Sequence, residues 1–223
     1  MIKCAIFDLD GVIVDTAKYH YIAWKEIAEN LGFEFTEKDN ERLKGVSRME
    51  SLEILLSVGK ISMPSNEKET LAKAKNERYK SLISNLKPDE ILPGAKQFIE
   101  FLRAKRILIA LASASKNAQF IIEKLNIVSL FDAIIDAHNI KNPKPNPEIF
   151  LKAAEVLNLH PKECVVFEDA EAGVEAAKAA GMKCIGIGNP EILKNADFVV
   201  SGLNKLKLRH TKFITHNCLM ARK

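Results

Sequence analysis

Short apolar runs of strand length alternate with longer stretches of helical periodicity along much of the chain. This alternation is typical of a parallel sheet flanked by helices. Most of the runs are apolar at successive positions, as expected when helices cover both faces of the sheet. The predicted fold class is therefore α/β with a parallel sheet. The predicted strands cover residues 3–9, 107–111, 133–135, 164–167 and 184–187, with 198–200 as a possible sixth.

A long segment between the first two predicted strands contains no convincing strand and has helical periodicity instead. Its first predicted helix carries an apolar stripe, and Gly32 is placed to end that helix. Ser47 and Glu50 have the spacing of a capping box ahead of a second helix. The residues of the first stripe are Tyr19, Ala23, Ile27 and Leu31, with Trp24 and Ala28 beside them.

A third helix is predicted over residues 67–86, and its inward-facing residues are expected to be Leu71, Ala74, Leu82 and Leu86. Pro88 and the Pro93-Gly94 pair then predict turns where the chain returns to the sheet. The sequence therefore predicts an inserted helical domain at residues 16–87 and a catalytic domain built from residues 1–15 and 88–223.

Composition narrows the class of protein. The chain has 223 residues, of which 47% are hydrophobic, so it can bury a sizeable core. No apolar run approaches the ~20 residues of a membrane span, and the N-terminus reaches acidic residues too early for a signal peptide, so a cytoplasmic location is expected. Cys4, Cys164 and Cys184 lie in or beside predicted strands, which favours reduced core thiols for them; Cys218 is the fourth cysteine.

The formal net charge of +4 is concentrated near the C-terminus. Residues 203–223 contain only basic charged side chains, so the rest of the chain is slightly acidic. Without a clustered basic face and interleaved aromatic residues, nucleic acid is not an expected partner. The basic residues of this tail are Lys205, Lys207, Arg209, Lys212, Arg222 and Lys223.

Polar residues follow the predicted strands where a site would form, because ligands of open α/β sheets bind beyond the carboxyl ends of the strands. The first strand ends in Asp8 and Asp10, the second in Ser113, and the fourth in Glu168-Asp169, while Lys144 opens the helix before that fourth strand. Converging carboxylates would repel one another, so a bound cation is expected. Oxygen ligands and a phosphate substrate favour Mg²⁺.

Phosphoryl transfer explains these residues together. The Asp8 carboxylate can attack phosphorus and form an aspartyl-phosphate, while Asp10 serves as general acid and base. Ser113 and Lys144 can stabilise the charge on the phosphoryl oxygens. Taken singly, each motif has a simpler interpretation. DxDG occurs in turns, Lys144 could be a solvated helix-start lysine, Ser113 an N-cap, and Glu168-Asp169 a partner of a helix dipole.

Four segments resemble, in order and spacing, the signature motifs of the haloacid dehalogenase superfamily: DLDGVIVDT, the serine after ILIALA, KPNPEIF and VVFEDAEAG. The resemblance spans nearly the whole chain. It implies a Rossmann-like core with a helical cap inserted after the first strand. It also implies that Asp8, the Asp10 carbonyl and Asp169 bind Mg²⁺, with Glu168 either a ligand or a support for the ligands. The aspartate at position 10 argues against a dehalogenase.

Residues of the predicted cap resemble those of the hexose-phosphate mutases of this superfamily. The segment Lys44-Gly45-Val46-Ser47-Arg48, with Ser51, looks like their substrate loop. The resemblance implies that Arg48 grips the phosphate that is not transferred and that His20, with Lys75, couples cap closure to Asp10. The other residues expected to bind substrate are Trp24, Gly45, Val46, Ser47, Ser51, Ser115, Lys116 and Asn117.

The expected reaction is interconversion of β-D-glucose 1-phosphate and glucose 6-phosphate through β-glucose 1,6-bisphosphate, catalysed by a monomer. Simpler interpretations of the cap residues stay open. Arg48 could be a surface arginine, Trp24 part of the cap core, and His20 a structural histidine. A sugar-phosphate phosphatase with water as the final acceptor is the alternative function. A binding module is a third class, disfavoured because binding alone does not require paired carboxylates.

Overall fold

The computed structural model describes residues 1–43 and 45–206. Lys44 and residues 207–223 lie outside the described residues, and with them Cys218 and most of the basic tail. Six parallel strands form one sheet: β1 (Cys4–Phe7), β2 (Leu108–Ala112), β3 (Ala133–Ile135), β4 (Cys164–Glu168), β5 (Lys183–Ile187) and β6 (Phe198–Val200). The predicted α/β class is confirmed, and the possible sixth strand is present.

The strand order β3-β2-β1-β4-β5-β6 places β1 at the centre of the sheet. Phe7, its last residue, is in register with Leu111 of β2 and Phe167 of β4. The chain segments that follow β1, β2 and β4 therefore begin side by side at one edge. This is the point where the strand order reverses, and open α/β sheets bind ligands there.

Helices cover both faces of the sheet, which explains why its strands are continuously apolar. On one face, α5 (Ala95–Ala104) and α6 (Ala118–Lys124) pack on Phe7, Leu111 and Phe167. The rings of Phe7 and Phe167 stack 4.5 Å apart beneath the strand ends. On the other face, α7 (Glu148–Val156) and α8 (Glu171–Ala179) pack on a second cluster that contains the buried thiols of Cys4, Cys164 and Cys184.

In the described part of the chain, four α-helices lie between β1 and α5: α1 (Ala17–Asn30), α2 (Glu37–Glu41), α3 (Arg48–Gly59) and α4 (Ser65–Ile83). They enclose an apolar cluster that includes Trp24, Leu52 and Leu55. As predicted, Gly32 follows the end of α1 with a positive φ of 84°, and the Ser47 side chain accepts from the Glu50 N–H at 3.3 Å at the start of α3. The boundaries at residues 16 and 87 stay a prediction.

The prediction for the inward face of the third cap helix was wrong for Ala74, which is exposed. Leu71 and Leu82 are half-buried and pack against the apolar clusters. The helix also ends at Ile83, before the buried Leu86. Lys75 and Tyr79 are also turned inward, so counting apolar residues alone missed part of the buried face. The buried residues of α4 are Ala72, Lys75, Tyr79 and Ile83.

No described helix combines the length and apolar character needed to span a membrane.

Leu55→Ala should lower the free energy of unfolding by about 2–5 kcal/mol, because the side chain is fully buried in the cap cluster and its removal leaves a cavity. Denaturant titration followed by circular dichroism measures the loss. Ile22→Ala on α1 is the matched control, since Ile22 is 39% exposed and should change stability much less. Equal losses for the two variants would contradict the assignment of this cluster as a packed core.

Candidate active site

Asp8 continues the line of β1 beyond its last paired residue. Its backbone N–H donates to the Phe167 carbonyl at 2.9 Å, so the position of Asp8 is set by the sheet itself. The side chain is buried, with 6% exposure. The nucleophile predicted from the sequence therefore has a rigid backbone and a side chain largely shielded from water.

Lys144 connects the ends of three strands. Its fully buried ammonium donates to Asp8 Oδ1 at 2.5 Å, to Glu168 Oε1 at 2.6 Å and to the Ala112 carbonyl at 3.3 Å. Buried carboxylates without a counter-charge would be costly, so this one cation makes their approach possible. The solvated helix-start lysine considered above is excluded.

Glu168, the last residue of β4, is held at both carboxylate oxygens. Oε1 accepts a hydrogen bond from the Lys144 ammonium, while Oε2 accepts from the backbone N–H groups of Asp169 at 2.7 Å and Ala170 at 3.2 Å. The backbone of α8 forms a wall against it at Gly173, where a Cβ would lie 1.7 Å from Oε1. The Glu168 carboxylate therefore has little freedom to move.

Asp8, Glu168 and Asp169 each bring one carboxylate oxygen to within 4.8 Å of the others. Carboxylate oxygens are the preferred ligands of hard divalent cations, and three of them outnumber the single buried ammonium between them. Gly11 adopts a φ of +78° and passes so close to Asp169 that a Cβ would lie 2.1 Å from its Oδ2. The residues present fit a divalent cation.

Burial dominates the charge state of the two aspartates in the absence of a cation. It raises the pKa of Asp8 to about 7, against the opposing effect of Lys144. Burial, reinforced by Asp8, raises the pKa of Asp10 to about 8. Burial also disfavours the Lys144 ammonium, but Asp8 and Glu168 outweigh it and raise the pKa of Lys144. Asp10 is thus suited to carry a proton near neutral pH.

Thr16 is a residue that the sequence analysis missed. It is fully buried, and its hydroxyl donates to Asp10 Oδ1. A tight turn between them is closed by the Gly11 N–H, which donates to the Val14 carbonyl at 2.8 Å. Thr16 lies within the motif DLDGVIVDT, so the motif contained the signal, but only its first two aspartates were interpreted.

The loop after β2 is ordered by its own hydroxyl groups. Ser113 Oγ accepts from the Ser115 N–H at 3.1 Å, and Ser115 Oγ accepts from the Asn117 N–H at 3.1 Å. The backbone N–H of Ser113 donates to the Ile135 carbonyl at 3.0 Å. Ser113 does not cap a helix, because α6 begins only at Ala118. The side chains of Ser113, Ser115 and Asn117 instead line a cavity below the cap helices.

A cavity of about 470 Å³ lies between the cap helices and the strand ends. Carboxylates occupy its core side, whereas Arg48, Lys75 and Lys116 supply positive charge elsewhere in the lining. Lys144 and Glu168 lie behind the lining. The remaining site residues predicted from the sequence all line the cavity: Asp8, Asp10, His20, Trp24, Gly45, Val46, Ser47, Arg48, Ser51, Lys75, Ser113, Ser115, Lys116, Asn117 and Asp169.

Lys75 forms the polar centre of the cap side. Its ammonium lies 2.8 Å from His20 Nδ1 and 4.6 Å from the centre of the Trp24 ring. Burial, followed by the charge of Arg48, lowers the pKa of Lys75 to about 7. Burial likewise lowers the pKa of His20, so the imidazole is neutral and its Nδ1 can accept from Lys75. Trp24 both packs in the cap cluster and lines the cavity.

Three further lining residues were missed by the sequence analysis. Tyr79 and Asn40 are buried, and Asn40 Oδ1 has no hydrogen-bond partner among the described residues. Asn76 on α4 bonds to Asn117 across the cavity. None of these residues stands in an interpreted motif. Their only sequence signal is a polar residue within a helix, which is also the ordinary signature of a solvated face.

Lys144→Met should lower the free energy of unfolding by about 3–5 kcal/mol at pH 8 in metal-free protein, because two buried carboxylates lose their counter-charge. The loss should be smaller at pH 5. Folding raises the pKa of Asp8 to about 7, so its ionisation lowers the free energy of unfolding as the pH rises toward that value. At pH 5 the buried carboxyl is mostly protonated, and the loss of its counter-charge then has little effect on stability. Denaturant titrations at both pH values, with a chelator present, measure it.

Lys141→Met is the matched control for that experiment, since Lys141 is exposed and its bond to Glu148 is donated by the backbone N–H, which the substitution keeps. It should leave stability nearly unchanged at both pH values. A loss for Lys144→Met that did not depend on pH would contradict the assigned charge balance.

Comparison with known proteins agrees with this geometry. Residues 2–181 match the family model of the haloacid dehalogenase-like hydrolases. The chain is 46% identical over 208 residues to a β-phosphoglucomutase of Bacillus subtilis, with 92% of each chain covered. It is 36% identical over 185 residues to a phosphorylated carbohydrates phosphatase of Thermotoga maritima, covering 82% of this chain and 83% of the relative.

Among solved structures, a β-phosphoglucomutase from Clostridium difficile superimposes with a TM-score of 0.91 at 45% identity, and each chain is covered completely. The match includes the parallel sheet and the inserted cap described above. Fold, motif order and sequence identity lead to the same assignment. The chain belongs to the haloacid dehalogenase-like hydrolase family.

Proposed function

We propose that the chain is a β-phosphoglucomutase, which interconverts β-D-glucose 1-phosphate and glucose 6-phosphate through an aspartyl-phosphate enzyme and β-glucose 1,6-bisphosphate. One observation carries the proposal. The buried Asp8 carboxylate, held by Lys144, opens into the cavity that Arg48 and Lys116 also line. A molecule with a phosphate at each end matches this distribution of charge. The relatives from Bacillus subtilis and Clostridium difficile bear the same name.

The proposed cofactor is Mg²⁺, held by Asp8, Asp169 and the Asp10 carbonyl. When bound, it would neutralise charge on the phosphoryl oxygens. Both Glu168 oxygens are engaged by Lys144 and by backbone N–H groups, which favours a supporting role for Glu168 rather than direct binding.

In the proposed first step, a hydroxyl of the sugar phosphate attacks the phosphorus of the Asp8 aspartyl-phosphate and gives its proton to Asp10, while the bond between phosphorus and the Asp8 oxygen breaks and the bisphosphate forms. After the bisphosphate has turned around, an Asp8 carboxylate oxygen attacks its other phosphorus. The bond between that phosphorus and the sugar oxygen breaks, and the sugar oxygen takes the proton of Asp10. Lys144 and the Ser113 hydroxyl stabilise the charge on the transferred group. The elevated pKa of Asp10 suits both steps.

The cap is proposed to hold the rest of the substrate. Arg48 would bind the phosphate that is not transferred, together with Ser115, Lys116 and Asn117 on the core side. The sugar would lie against Trp24 and against the segment formed by Gly45, Val46, Ser47 and Ser51. The contact between His20 and Lys75 would tie cap closure to Asp10, because Lys75 also influences the charge of that carboxyl. Closure would protect the aspartyl-phosphate from water.

The wider setting belongs to the same proposal. Residues 16–87 would act as the cap on a catalytic core of residues 1–15 and 88–223. The enzyme would act as a cytoplasmic monomer on small sugar phosphates, with neither nucleic acid nor membrane as a partner.

The second candidate function is that of a sugar-phosphate phosphatase, which would use the same residues with water as the acceptor. The phosphatase name of the Thermotoga maritima relative favours it.

The deciding assay supplies β-glucose 1-phosphate, Mg²⁺ and catalytic glucose 1,6-bisphosphate, and measures glucose 6-phosphate against free phosphate. We expect glucose 6-phosphate to dominate; dominance of free phosphate would establish the phosphatase instead.

Two substitutions test the roles of the aspartates. Asp8→Asn should abolish both turnover and labelling by an acyl-phosphate donor. Asp10→Asn should lower turnover by about 10²–10⁴-fold with the fold intact. Asp89→Asn, at an exposed position, is the control and should retain full activity.

Arg48→Ala should impair mutase turnover more than hydrolysis of acetyl phosphate, because only the mutase reaction requires a second phosphate to be held. We expect about a 10²-fold loss of kcat/KM for β-glucose 1-phosphate and less than about threefold for acetyl phosphate. Arg42→Ala is the control on the exposed side of the same cap segment. Equal losses in the two assays would exclude Arg48 from the distal phosphate site.

A further inference from the structure

Asn76 and Asn117 form a hydrogen bond between the cap and the core. Asn117 Nδ2 donates to Asn76 Oδ1 at 3.0 Å, joining α4 to the loop after β2. Both residues line the active-site cavity, and Asn117 is only 7% exposed. The bond lies beside Lys116, at the end of the cavity assigned above to the distal phosphate.

The position of Asn117 in the chain favours another use of its side chain. It is the N-cap of α6, where an asparagine side chain ordinarily accepts from a backbone N–H of the first helical turn. No such bond is formed. The amide is turned toward Asn76 instead, while the Asn117 backbone N–H donates to Ser115 Oγ. The orientation of the amide is therefore set by its partner on the cap rather than by its own helix.

Asn76 is likewise a residue that its own helix does not favour. It lies within α4, where asparagine is a poor helix former because its side chain competes for backbone hydrogen bonds. It follows Lys75 and belongs to the polar edge of α4 that borders the cavity. Its amide nitrogen donates to Glu77 Oε1 at 3.5 Å, and its amide oxygen is left to accept from Asn117 at 3.0 Å.

An amide can present either its oxygen or its nitrogen, and the choice matters beside an anion. The nitrogen carries two donors, whereas the oxygen would repel phosphate oxygens. Because Asn76 Oδ1 is an acceptor, it holds the nitrogen of Asn117 in place through one hydrogen. The second hydrogen of that nitrogen is left to donate to another acceptor.

We infer that Asn76 is a positioning residue, whose amide oxygen orients the Asn117 amide to donate to the phosphate that is not transferred. The inference rests on the proposed function. Since the two residues belong to the cap and the core, the full set of donors to this phosphate exists only when the cap is closed. Recognition of the second phosphate and closure of the cap then become one event.

A double-mutant cycle tests this role. The Asp8→Asn protein, which cannot turn over, is titrated with glucose 1,6-bisphosphate and Mg²⁺ by calorimetry. Asn76→Ala should raise Kd by about 5- to 20-fold. In the presence of Asn117→Ser, which keeps a good N-cap residue but removes the amide, the same change should raise Kd by less than about twofold. Equal effects of Asn76→Ala in both backgrounds would overturn the inference.

Kinetics provide a second readout in the protein with Asp8 intact. Asn76→Ala should raise KM for β-glucose 1-phosphate and leave labelling of Asp8 by acetyl phosphate within about twofold, because acetyl phosphate has no distal phosphate. Asn66→Ala, at an exposed position in the first turn of α4, should change neither quantity. A loss confined to kcat, or an equal loss for acetyl phosphate, would overturn the role.

The two proposals fail in different ways. Release of free phosphate by the wild-type protein would refute the mutase and leave the binding cycle unaffected, because the cycle is measured without turnover. Additive binding losses would refute the role of Asn76 even if glucose 6-phosphate were the product. Thermal unfolding of each variant within about 3 °C of its parent corresponds to less than about 1 kcal/mol and separates a binding effect from a folding defect.

Discussion

The ion pairs of Lys144 with Asp8 and Glu168 are the interaction on which the rest of the structure depends. The sheet topology brings carboxylates together at one edge, where they would repel one another in a buried setting. A single fully buried ammonium, introduced from the segment before α7, compensates them. The arrangement keeps Asp8 close to a cation and largely shielded from water. This environment is consistent with the proposed role of Asp8 as the nucleophile.

Much of this organisation is predictable from the sequence because it is encoded locally. The bounds of β3 and β6 agree with the prediction, and the order of the motifs follows from strands that end in polar residues. The first strand is shorter than predicted. The prediction covered residues 3–9, but the paired strand covers only Cys4–Phe7, and Lys3, Asp8 and Leu9 lie outside it. Apolar character predicts burial, whereas strand bounds depend on the neighbouring strands.

The cap is less predictable because its inner face serves the cavity as well as a core. Lys75 and Tyr79 are buried on α4 beside its apolar residues, so the predicted face of that helix was incomplete, and it was wrong for Ala74. Thr16 and Asn76 were missed for a related reason. Their partners, Asp10 and Asn117, are defined only once distant segments have come together. The catalytic and binding roles of these residues are proposals that rest on proximity and charge.

Two glycines give the acidic edge a property that its ligand chemistry alone would not have. The backbone at Gly173 stands against Glu168, and the backbone at Gly11 stands against Asp169, while Lys144 restrains Asp8. Such a braced ring of oxygens cannot easily widen. Calcium binds at 2.3–2.6 Å with six to eight ligands, against about 2.0–2.1 Å and six for magnesium. The main chain therefore limits how far these carboxylate oxygens can separate, and we expect the proposed Mg²⁺ site to disfavour a larger cation.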